Sequence, residues 1–120
     1  MTVSATKKLL FVCSRNRFRS LTAEKWFENS PDYQVRSAGT QPAARIVVTD
    51  GHVGWADIIF CMEKSHVNKL RRKFPEALHG KRVVCLHIPD DYEFMQPDLL
   101  DELRAKLVHY VKLPQENRSV

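Results

Sequence analysis

Hydrophobic residues in this chain occur in short continuous runs that alternate with amphipathic segments. Four apolar runs predict strands at residues 7–13, 33–38, 55–62 and 83–88. Helical spacing of apolar residues predicts helices at residues 21–29 and 64–73, and a last helix that begins at Pro97. Nearly continuous apolar strands that alternate with helices are typical of a parallel sheet covered on both faces. We therefore predict an α/β fold: a single three-layer domain with a four-stranded parallel sheet, order 2-1-3-4, and helices on both faces.

Polar and turn-forming residues set the expected boundaries of these elements. Ser20 is a suitable N-cap for the first helix, and Pro75 is expected to end the second one. Residues 41–54 are expected to be loop with room for one helical turn. We predict one domain over residues 1–120, with a core at about 7–113 and a short polar tail at 114–120.

Composition limits the kind of protein further. A chain of 120 residues suits one domain and needs neither a disulfide nor a metal for stability. The apolar run at residues 9–12 is too short for a signal core or a membrane span. Three cysteines without a CxxC pair suit a reducing compartment. We therefore expect a cytoplasmic protein with no membrane association and no cofactor, and the oligomeric state stays open.

The net charge of +5, from 19 basic and 14 acidic residues, favours an anionic partner. This charge does not distinguish a small phosphate ester from a phosphoprotein or a nucleic acid. The basic cluster at residues 69–73 has no interleaved aromatic residues of the kind that bind single strands. Nucleic acid is therefore an allowed partner but not the favoured one.

The segment 13–20, with the sequence CSRNRFRS, leaves the first predicted strand and enters the first predicted helix. Successive N–H groups in such a loop form a concave anion site, and a helix start adds unpaired N–H donors and a positive dipole end. The same field stabilises a thiolate, which is the nucleophilic form of cysteine. We therefore predict that Cys13 attacks a phosphate held by this loop.

Other residues of this loop have distinct predicted roles. The planar guanidinium of Arg19 can contact two phosphoryl oxygens and neutralise charge in the transition state. Ser20 can hydrogen-bond the sulfur of Cys13, and Asn16 tolerates the left-handed backbone of a tight loop. The loop residues expected to bind substrate are Ser14, Arg15, Asn16, Arg17, Phe18 and Ser20.

The loop resembles the signature of the low-molecular-weight protein tyrosine phosphatase family, a Cys-x5-Arg-Ser sequence near the N-terminus with an Asn inside it. The resemblance continues at residues 37–40 (SAGT) and 56–62 (ADIIFCM), and more loosely at 88–92 (IPDDY), where the family carries its general-acid loop. It implies a cysteine-dependent, tyrosine-phosphatase-like enzyme that hydrolyses a phosphorylated substrate through a cysteinyl-phosphate intermediate. It also implies a hydrogen bond between Ser37 and Asn16 that supports the loop.

Two features depart from the family's pattern. The stretch between Thr40 and Trp55 is short, although the family usually builds an aromatic wall of its phosphotyrosine pocket there. The loop also carries Arg15 and Arg17, which is more positive charge than is usual. Phosphate binding is therefore expected, while the substrate stays open between a phosphoprotein, a small phosphate ester and a nucleotide or RNA phosphate.

Hydrolysis through a cysteinyl phosphate needs an acid for the leaving oxygen and then a base for water. Asp90 aligns best with the family's acid, by the pattern Pro-Asp-x-Tyr, and the neighbouring Asp91 is the alternative. Asp91 and Tyr92 are otherwise expected at the substrate site. The predicted catalytic residues are Cys13, Arg19 and Asp90.

Other interpretations depend on the remaining cysteines and histidines. A non-catalytic module that binds phosphate or phosphoprotein would share the loop, but it would not need Cys13, Arg19 and an acid together. Arsenate reduction would need a close pair of resolving cysteines, which Cys61 and Cys85 do not form in the sequence. A protective disulfide between Cys13 and Cys61 stays open. The five histidines form no HxH or HExxH pattern, so we predict no metal site.

Overall fold

A computed structural model describes residues 6–114, in which four strands form one parallel sheet. The strands are β1 (Lys7–Cys13), β2 (Tyr33–Gly39), β3 (Ile58–Cys61) and β4 (Arg82–Cys85). Their order is β2-β1-β3-β4, and every neighbouring pair is parallel. The predicted α/β class and strand order are therefore confirmed.

Strand β1 lies in the interior of the sheet because its residues are apolar on both sides. Leu9 and Phe11 belong to one hydrophobic cluster, and Leu10 and Val12 belong to another. All four are fully buried, and they alternate between the two faces as successive strand residues must. Packing on both faces therefore fixes the end of this strand, where Cys13 lies.

Helices cover both faces of the sheet within residues 6–114. They are α1 (Arg19–Phe27), α2 (Asp50–Trp55), α3 (Lys64–Lys73), α4 (Pro75–Leu78) and α5 (Pro97–Leu107). Helices α1 and α5 bury Phe27 and Leu103 in the cluster that contains Phe11. Helices α2 and α3 bury Val53 and Leu70 in the cluster on the opposite face. This arrangement gives the three layers that the sequence predicts.

The helix boundaries agree with the prediction at some ends and differ at others. The helix predicted at 64–73 matches α3, and the last helix begins at Pro97 as predicted. Helix α1 begins at Arg19, earlier than predicted, and Phe18 is its N-cap. The prediction that Ser20 caps this helix is wrong, because its hydroxyl makes its hydrogen bonds inside the preceding loop instead.

Two strands are shorter than predicted. Trp55 ends α2 rather than opening a strand, so β3 begins only at Ile58. Strand β4 ends at Cys85, because His87 adopts a left-handed backbone with φ 55°. Beyond this turn, Ile88 still donates its amide proton to the carbonyl of Met62, just after β3, at 2.8 Å.

The carboxyl ends of β1 and β3 lie side by side, and the chain leaves them in opposite directions. After β1 it enters α1 on one face, and after β3 it enters α3 on the other. This divergence is a topological switch point, the place where ligands bind in open α/β sheets. The residues that follow β1 and β3 are therefore the first to consider for a functional site.

Some predictions concern parts of the chain away from this edge. Among residues 6–114, no helix is long and apolar enough to cross a membrane. Apart from Pro114, the predicted polar tail lies outside the described residues. The predicted limits of the domain, 1 and 120, lie outside them as well.

Candidate active site

The loop between β1 and α1 turns at Asn16, whose backbone has a left-handed φ of 58°. Asparagine is one of the few residues other than glycine that adopts this conformation readily. The side chain of Asn16 is fully buried, whereas those of Arg15 and Arg17 are exposed. The loop therefore directs one side chain inward for support and its two neighbours outward to solvent.

Four consecutive loop carbonyls, those of residues 13–16, accept hydrogen bonds of 2.9–3.1 Å from the segment 40–45. Arg45 supplies two of these bonds, one from its amide and one from Nε. In a trans peptide the N–H points away from the C=O. The amides that follow these carbonyls therefore point toward the concave side of the loop, where successive N–H groups can bind an anion.

Gly39, at the end of β2, allows this segment to approach the loop closely. A Cβ atom at Gly39 would lie 2.6 Å from the carbonyl oxygen of Ser14 and 2.6 Å from Cβ of Ala44. Both distances are far below van der Waals contact, so a side chain would push the segment away from the loop. The close packing explains why glycine occupies this position of the SAGT segment.

Cys13 ends β1 beneath the loop, and only 3% of its surface is exposed. Its Sγ lies 3.2 Å from the amide nitrogen of Asn16 and 2.9 Å from Oγ of Ser20. Both groups can donate a hydrogen bond to a sulfur anion. The arrangement therefore suits a thiolate, the form in which cysteine acts as a nucleophile.

The side-chain amide of Asn16 connects the loop to α1 and β2. Its Nδ2 donates to Oγ of Ser20 and to Oγ of Ser37, each at 2.8 Å. Because both hydroxyls accept from Asn16, each directs its own proton elsewhere: Ser20 toward the sulfur of Cys13, and Ser37 to the carboxylate of Glu24. The predicted hydrogen bond between Ser37 and Asn16 is thus present, and it orients the Ser20 hydroxyl.

Arg19 has the largest fully buried side chain in the described part of the molecule. Its Nη1 donates to Oε2 of Glu63 at 2.5 Å and to the carbonyl of Ile88 at 2.8 Å. Its Nε lies 3.7 Å from Oδ1 of Asp90, at ion-pair distance. No hydrogen bond from Nη2 to a residue within 6–114 accompanies these contacts. One edge of the guanidinium is therefore anchored, while the other can contact an oxyanion.

No sequence pattern pointed to Glu63, which lies two residues after β3 ends at Cys61. The hydrogen bond from Arg19 lowers the pKa of this carboxyl, and the positive charge of Arg19 acts in the same direction against the effect of burial. Glu63 is also the N-cap residue of α3, and its backbone carbonyl accepts from the amide of His66 at 3.1 Å. The start of α3 and the orientation of Arg19 thus depend on the same residue, the first through its backbone and the second through its carboxylate.

His66 is a second residue that the sequence did not indicate. It is fully buried, and its Nδ1 accepts the amide proton of Glu63 at 3.0 Å. Its Nε2 therefore carries the proton of the neutral ring and donates to Oγ of Ser14 at 2.9 Å. Burial, aided by the charge of Arg19, lowers the pKa of His66 to about 4, which keeps the ring neutral at physiological pH.

A small cavity opens above these groups, and most of its lining comes from the loop. The lining residues are Cys13, Arg15, Arg17, Phe18, Arg19 and Asp90. Of the predicted catalytic and substrate residues, these six therefore meet at one place. Ser14, Asn16 and Ser20 lie behind the loop, where their side chains hold it in shape.

Two other predicted substrate residues lie outside this lining. Asp91 is exposed, and Tyr92 packs against the hydrophobic cluster that contains Leu99. Tyr92 borders a separate shallow cavity, which is lined also by Asp98, Asp101, Glu102 and Ala105. A larger cavity near Trp26 and Lys112 contains none of the predicted site residues.

The segment that carries Asp90 is attached to α1. The amide of Met95 donates to Oγ1 of Thr22 at 2.9 Å, and the backbone of Met95 is left-handed with φ 59°. The amide of Glu93 donates to the side chain of Gln96, which precedes α5. The segment is therefore held at its far end by α1 and α5, with Asp90 facing the loop.

Among residues 6–114, no group of three or more His, Cys, Asp and Glu side chains is arranged to hold a metal ion.

No protein-family model and no curated protein sequence matches this chain. Solved structures do match it. The tyrosine phosphatase Wzb from Escherichia coli K30, in complex with phosphate, is 21% identical, with a TM-score of 0.70 over 88% of this chain and 96% of that chain.

Two further solved structures resemble this chain over a similar length. The low molecular weight protein tyrosine phosphatase from T. tengcongensis is 19% identical, with a TM-score of 0.69 over 88% of this chain and 100% of that chain. The YwlE arginine phosphatase from Geobacillus stearothermophilus is 21% identical, with a TM-score of 0.59 over 88% of this chain and 98% of that chain. The chain therefore has the fold of low-molecular-weight tyrosine phosphatases. Since proteins of this fold are named for different substrates, the fold does not identify the substrate.

Proposed function

We propose that this protein is a phosphatase that hydrolyses phosphate monoesters through a cysteinyl-phosphate intermediate. The observation that carries the proposal is the position of Cys13, whose Sγ lies 3.2 Å from the amide of Asn16 and 2.9 Å from Oγ of Ser20. Arg19 and Asp90 line the same cavity. A nucleophile, an anion-binding loop, a fixed cation and a carboxylate thus surround one small space.

In the first step the thiolate of Cys13 attacks phosphorus, and a P–S bond forms as the ester P–O bond breaks. The leaving oxygen takes a proton from the carboxyl group of Asp90. The loop amides and Arg19 stabilise the charge that spreads over the three equatorial oxygens. Because Glu63 and the Ile88 carbonyl already hold Arg19, little reorganisation is needed when the phosphate arrives.

In the second step water attacks the cysteinyl phosphate, and Asp90 now takes a proton from that water. The P–S bond breaks, inorganic phosphate leaves, and the electrons of the bond return to sulfur as the thiolate. The hydroxyl of Ser20, oriented by Asn16, donates to this sulfur and makes it a better leaving group. No cofactor enters either step.

Asp90 is favoured over Asp91 as the acid and base. Its Oδ1 lies 3.7 Å from Nε of Arg19, and it lines the cavity with Cys13. Both aspartates are exposed, but Asp91 is absent from that lining. A carboxyl that serves the leaving oxygen has to lie within hydrogen-bond reach of it, a condition that Asp90 meets more readily.

The other roles considered for this loop receive less support. A binding module without catalysis would need neither a cysteine beneath the loop nor a carboxyl above it. Arsenate reduction would need a relay of thiols, but Cys61 belongs to the hydrophobic cluster on the face of the sheet opposite Cys13.

Three free cysteines suit a reducing compartment, so we place the enzyme in the cytoplasm. Its proposed partner is the phosphorylated compound that it hydrolyses.

The test is hydrolysis of p-nitrophenyl phosphate, in the presence of EDTA, by the wild type and by Cys13→Ser, Asp90→Asn and Asp91→Asn. We expect no turnover by Cys13→Ser and a loss of about 100-fold in kcat for Asp90→Asn, the low end of the usual contribution of a general acid, because p-nitrophenolate is a good leaving group. The matched Asp91→Asn variant should lose far less. Binding of vanadate without hydrolysis by the wild type would point to the binding module instead, and absence of both would overturn the proposal.

A further inference from the structure

We propose that the substrate carries a second phosphate group beside the one that is cleaved, and that Arg15 and Arg17 bind it. This inference rests on the proposed phosphatase function and narrows its substrate class. Both arginines line the cavity that contains Cys13, and both are exposed. They therefore lie at the rim of the site, in contact with solvent and with the entrance.

The turn at Asn16 produces this rim. Because Asn16 points inward with φ 58°, the residues on either side of it face outward around the same opening. The backbone carbonyl of Arg15 is bonded to the amide of Arg45, which fixes the main chain at this point. The two guanidinium groups thus project from a rigid stretch of loop rather than from a mobile segment.

The charges of the two rim arginines are not compensated by the protein. Within residues 6–114, neither side chain makes an ion pair or a hydrogen bond. The carboxylates of Glu63 and Asp90 are at ion-pair distance from Arg19 instead. Two uncompensated cations at the entrance of a catalytic cavity favour a ligand with negative charge at that position.

The cleaved phosphate does not require these cations, because the loop amides and Arg19 already surround its position. A guanidinium binds phosphate oxygens in a bidentate fashion, so two adjacent guanidiniums match a second phosphate group on the same molecule. Phe18, which is 37% exposed, follows them at the same rim. An exposed ring beside two cations can stack on a planar group such as a nucleobase, so a nucleoside bisphosphate is the simplest compound of this class.

The experiment compares kcat/KM for two matched pairs of substrates that differ by one phosphate. The first pair is adenosine 5′-monophosphate and adenosine 3′,5′-bisphosphate, and the second is fructose 6-phosphate and fructose 1,6-bisphosphate. We expect the wild type to prefer the bisphosphate of at least one pair about tenfold. A preference for the bisphosphate in both pairs would show that the second phosphate alone is enough to raise kcat/KM. A preference in the adenosine pair alone would show that binding of the second phosphate also needs a contact with the base.

The double variant Arg15→Gln and Arg17→Gln should reduce this preference to less than about twofold. The double variant will also hydrolyse every substrate somewhat more slowly, so the quantity to compare is the ratio of kcat/KM for the bisphosphate to kcat/KM for the monophosphate of the same pair. Arg72→Gln, an exposed change on α3 far along the chain from the loop, should leave the ratio unchanged. Raising the salt concentration should weaken the preference, because exposed charges are screened.

Three results would overturn the inference: no preference in either pair, a preference that the double variant retains, or a stronger arginine-dependent preference for a phosphotyrosine peptide with acidic neighbours. Failure of the proposed function is seen separately, as no Cys13-dependent hydrolysis of p-nitrophenyl phosphate. In that case the dissociation constants of the same pairs, measured on Cys13→Ser by calorimetry, test the second phosphate site without turnover. Equal binding of the mono- and bisphosphate would then overturn it.

Discussion

Glu63 holds Arg19 in place: its Oε2 lies 2.5 Å from Nη1 of the arginine, and the guanidinium is buried with only 2% of the side chain exposed. The same residue is the N-cap of α3. An arginine that must neutralise a phosphoryl group gains from being oriented before the substrate arrives, since no free energy is then spent on ordering it. The ion pair therefore links the start of a structural helix to the proposed chemistry.

Replacing Glu63 by glutamine should lower activity although Glu63 never touches the substrate. Glutamine retains the shape of the side chain and can still accept a hydrogen bond from Arg19, but it removes the negative charge of Glu63, so the only ion pair left to the guanidinium within residues 6–114 is the longer one with Asp90 at 3.7 Å. We expect a loss of about tenfold in kcat/KM for p-nitrophenyl phosphate and weaker binding of vanadate. The matched control is Glu28→Gln, which affects only an exposed ion pair with Lys25. Equal losses in both variants would contradict a positioning role for Glu63.

Ser37→Ala tests the hydrogen bonds behind the loop. The change removes the acceptor that lies 2.8 Å from Nδ2 of Asn16 and leaves a buried N–H group unpaired. We expect the free energy of unfolding to fall by about 1–3 kcal/mol. We also expect kcat to fall, because the side chain of Asn16 then orients the Ser20 hydroxyl less firmly. Urea unfolding and steady-state kinetics measure the two effects. Ser65→Ala, an exposed change on α3, should produce neither.

The buried imidazole of His66 should make stability depend on pH. Its pKa is lowered to about 4 from an ordinary value of 6.5, mainly by burial and then by the charge of Arg19. Between these two pH values the unfolded chain binds a proton that the folded protein does not bind. Stability is therefore complete above about pH 6.5 and falls as the pH drops toward 4, by about 3 kcal/mol at most.

The measurement is the free energy of unfolding in urea at pH 7.0, 5.5 and 4.5 for the wild type and His66→Gln. Glutamine can serve the same capping position but does not titrate, so the variant should show a flatter dependence on pH over this range. His79→Gln, at an exposed position, should keep the slope of the wild type. An equal slope for His66→Gln would show that other groups cause the acid sensitivity.

The sheet and the loop could be predicted because their signals are local. Four apolar runs specify the strands, and the position of Cys13 between a strand and a helix implies an anion site. Glu63 and His66 could not be predicted, since their roles arise only when the start of α3 packs beside the loop. The sequence also left Asp90 and Asp91 as alternatives. Which of them faces the cavity depends on the chain path after the left-handed turn at His87, and no residue pattern indicated that turn.

The open question of a disulfide between Cys13 and Cys61 has a geometric answer. In the register of β1 and β3, the partner of Cys61 is Val12, not Cys13. The side chain of Cys13 belongs to the hydrophobic cluster with Phe11, and that of Cys61 belongs to the cluster on the opposite face. Because the sheet separates the two sulfur atoms, a bond between them would require β1 or β3 to leave the sheet.

The reactivity of the two thiols should therefore differ. Burial, together with the neighbouring Cys85, raises the pKa of Cys61 to about 12, so almost no thiolate forms there at neutral pH. Iodoacetamide at pH 7 should label Cys13 in the folded protein, inorganic phosphate should slow that labelling, and Cys61 should react only after unfolding. Peptide mass spectrometry after alkylation identifies each site, and Cys13→Ser is the control that removes the phosphate-sensitive adduct.

Treatment of the folded protein with hydrogen peroxide should yield no disulfide-linked peptide that joins Cys13 and Cys61. Recovery of such a peptide from folded protein would contradict the separation of these residues by the sheet.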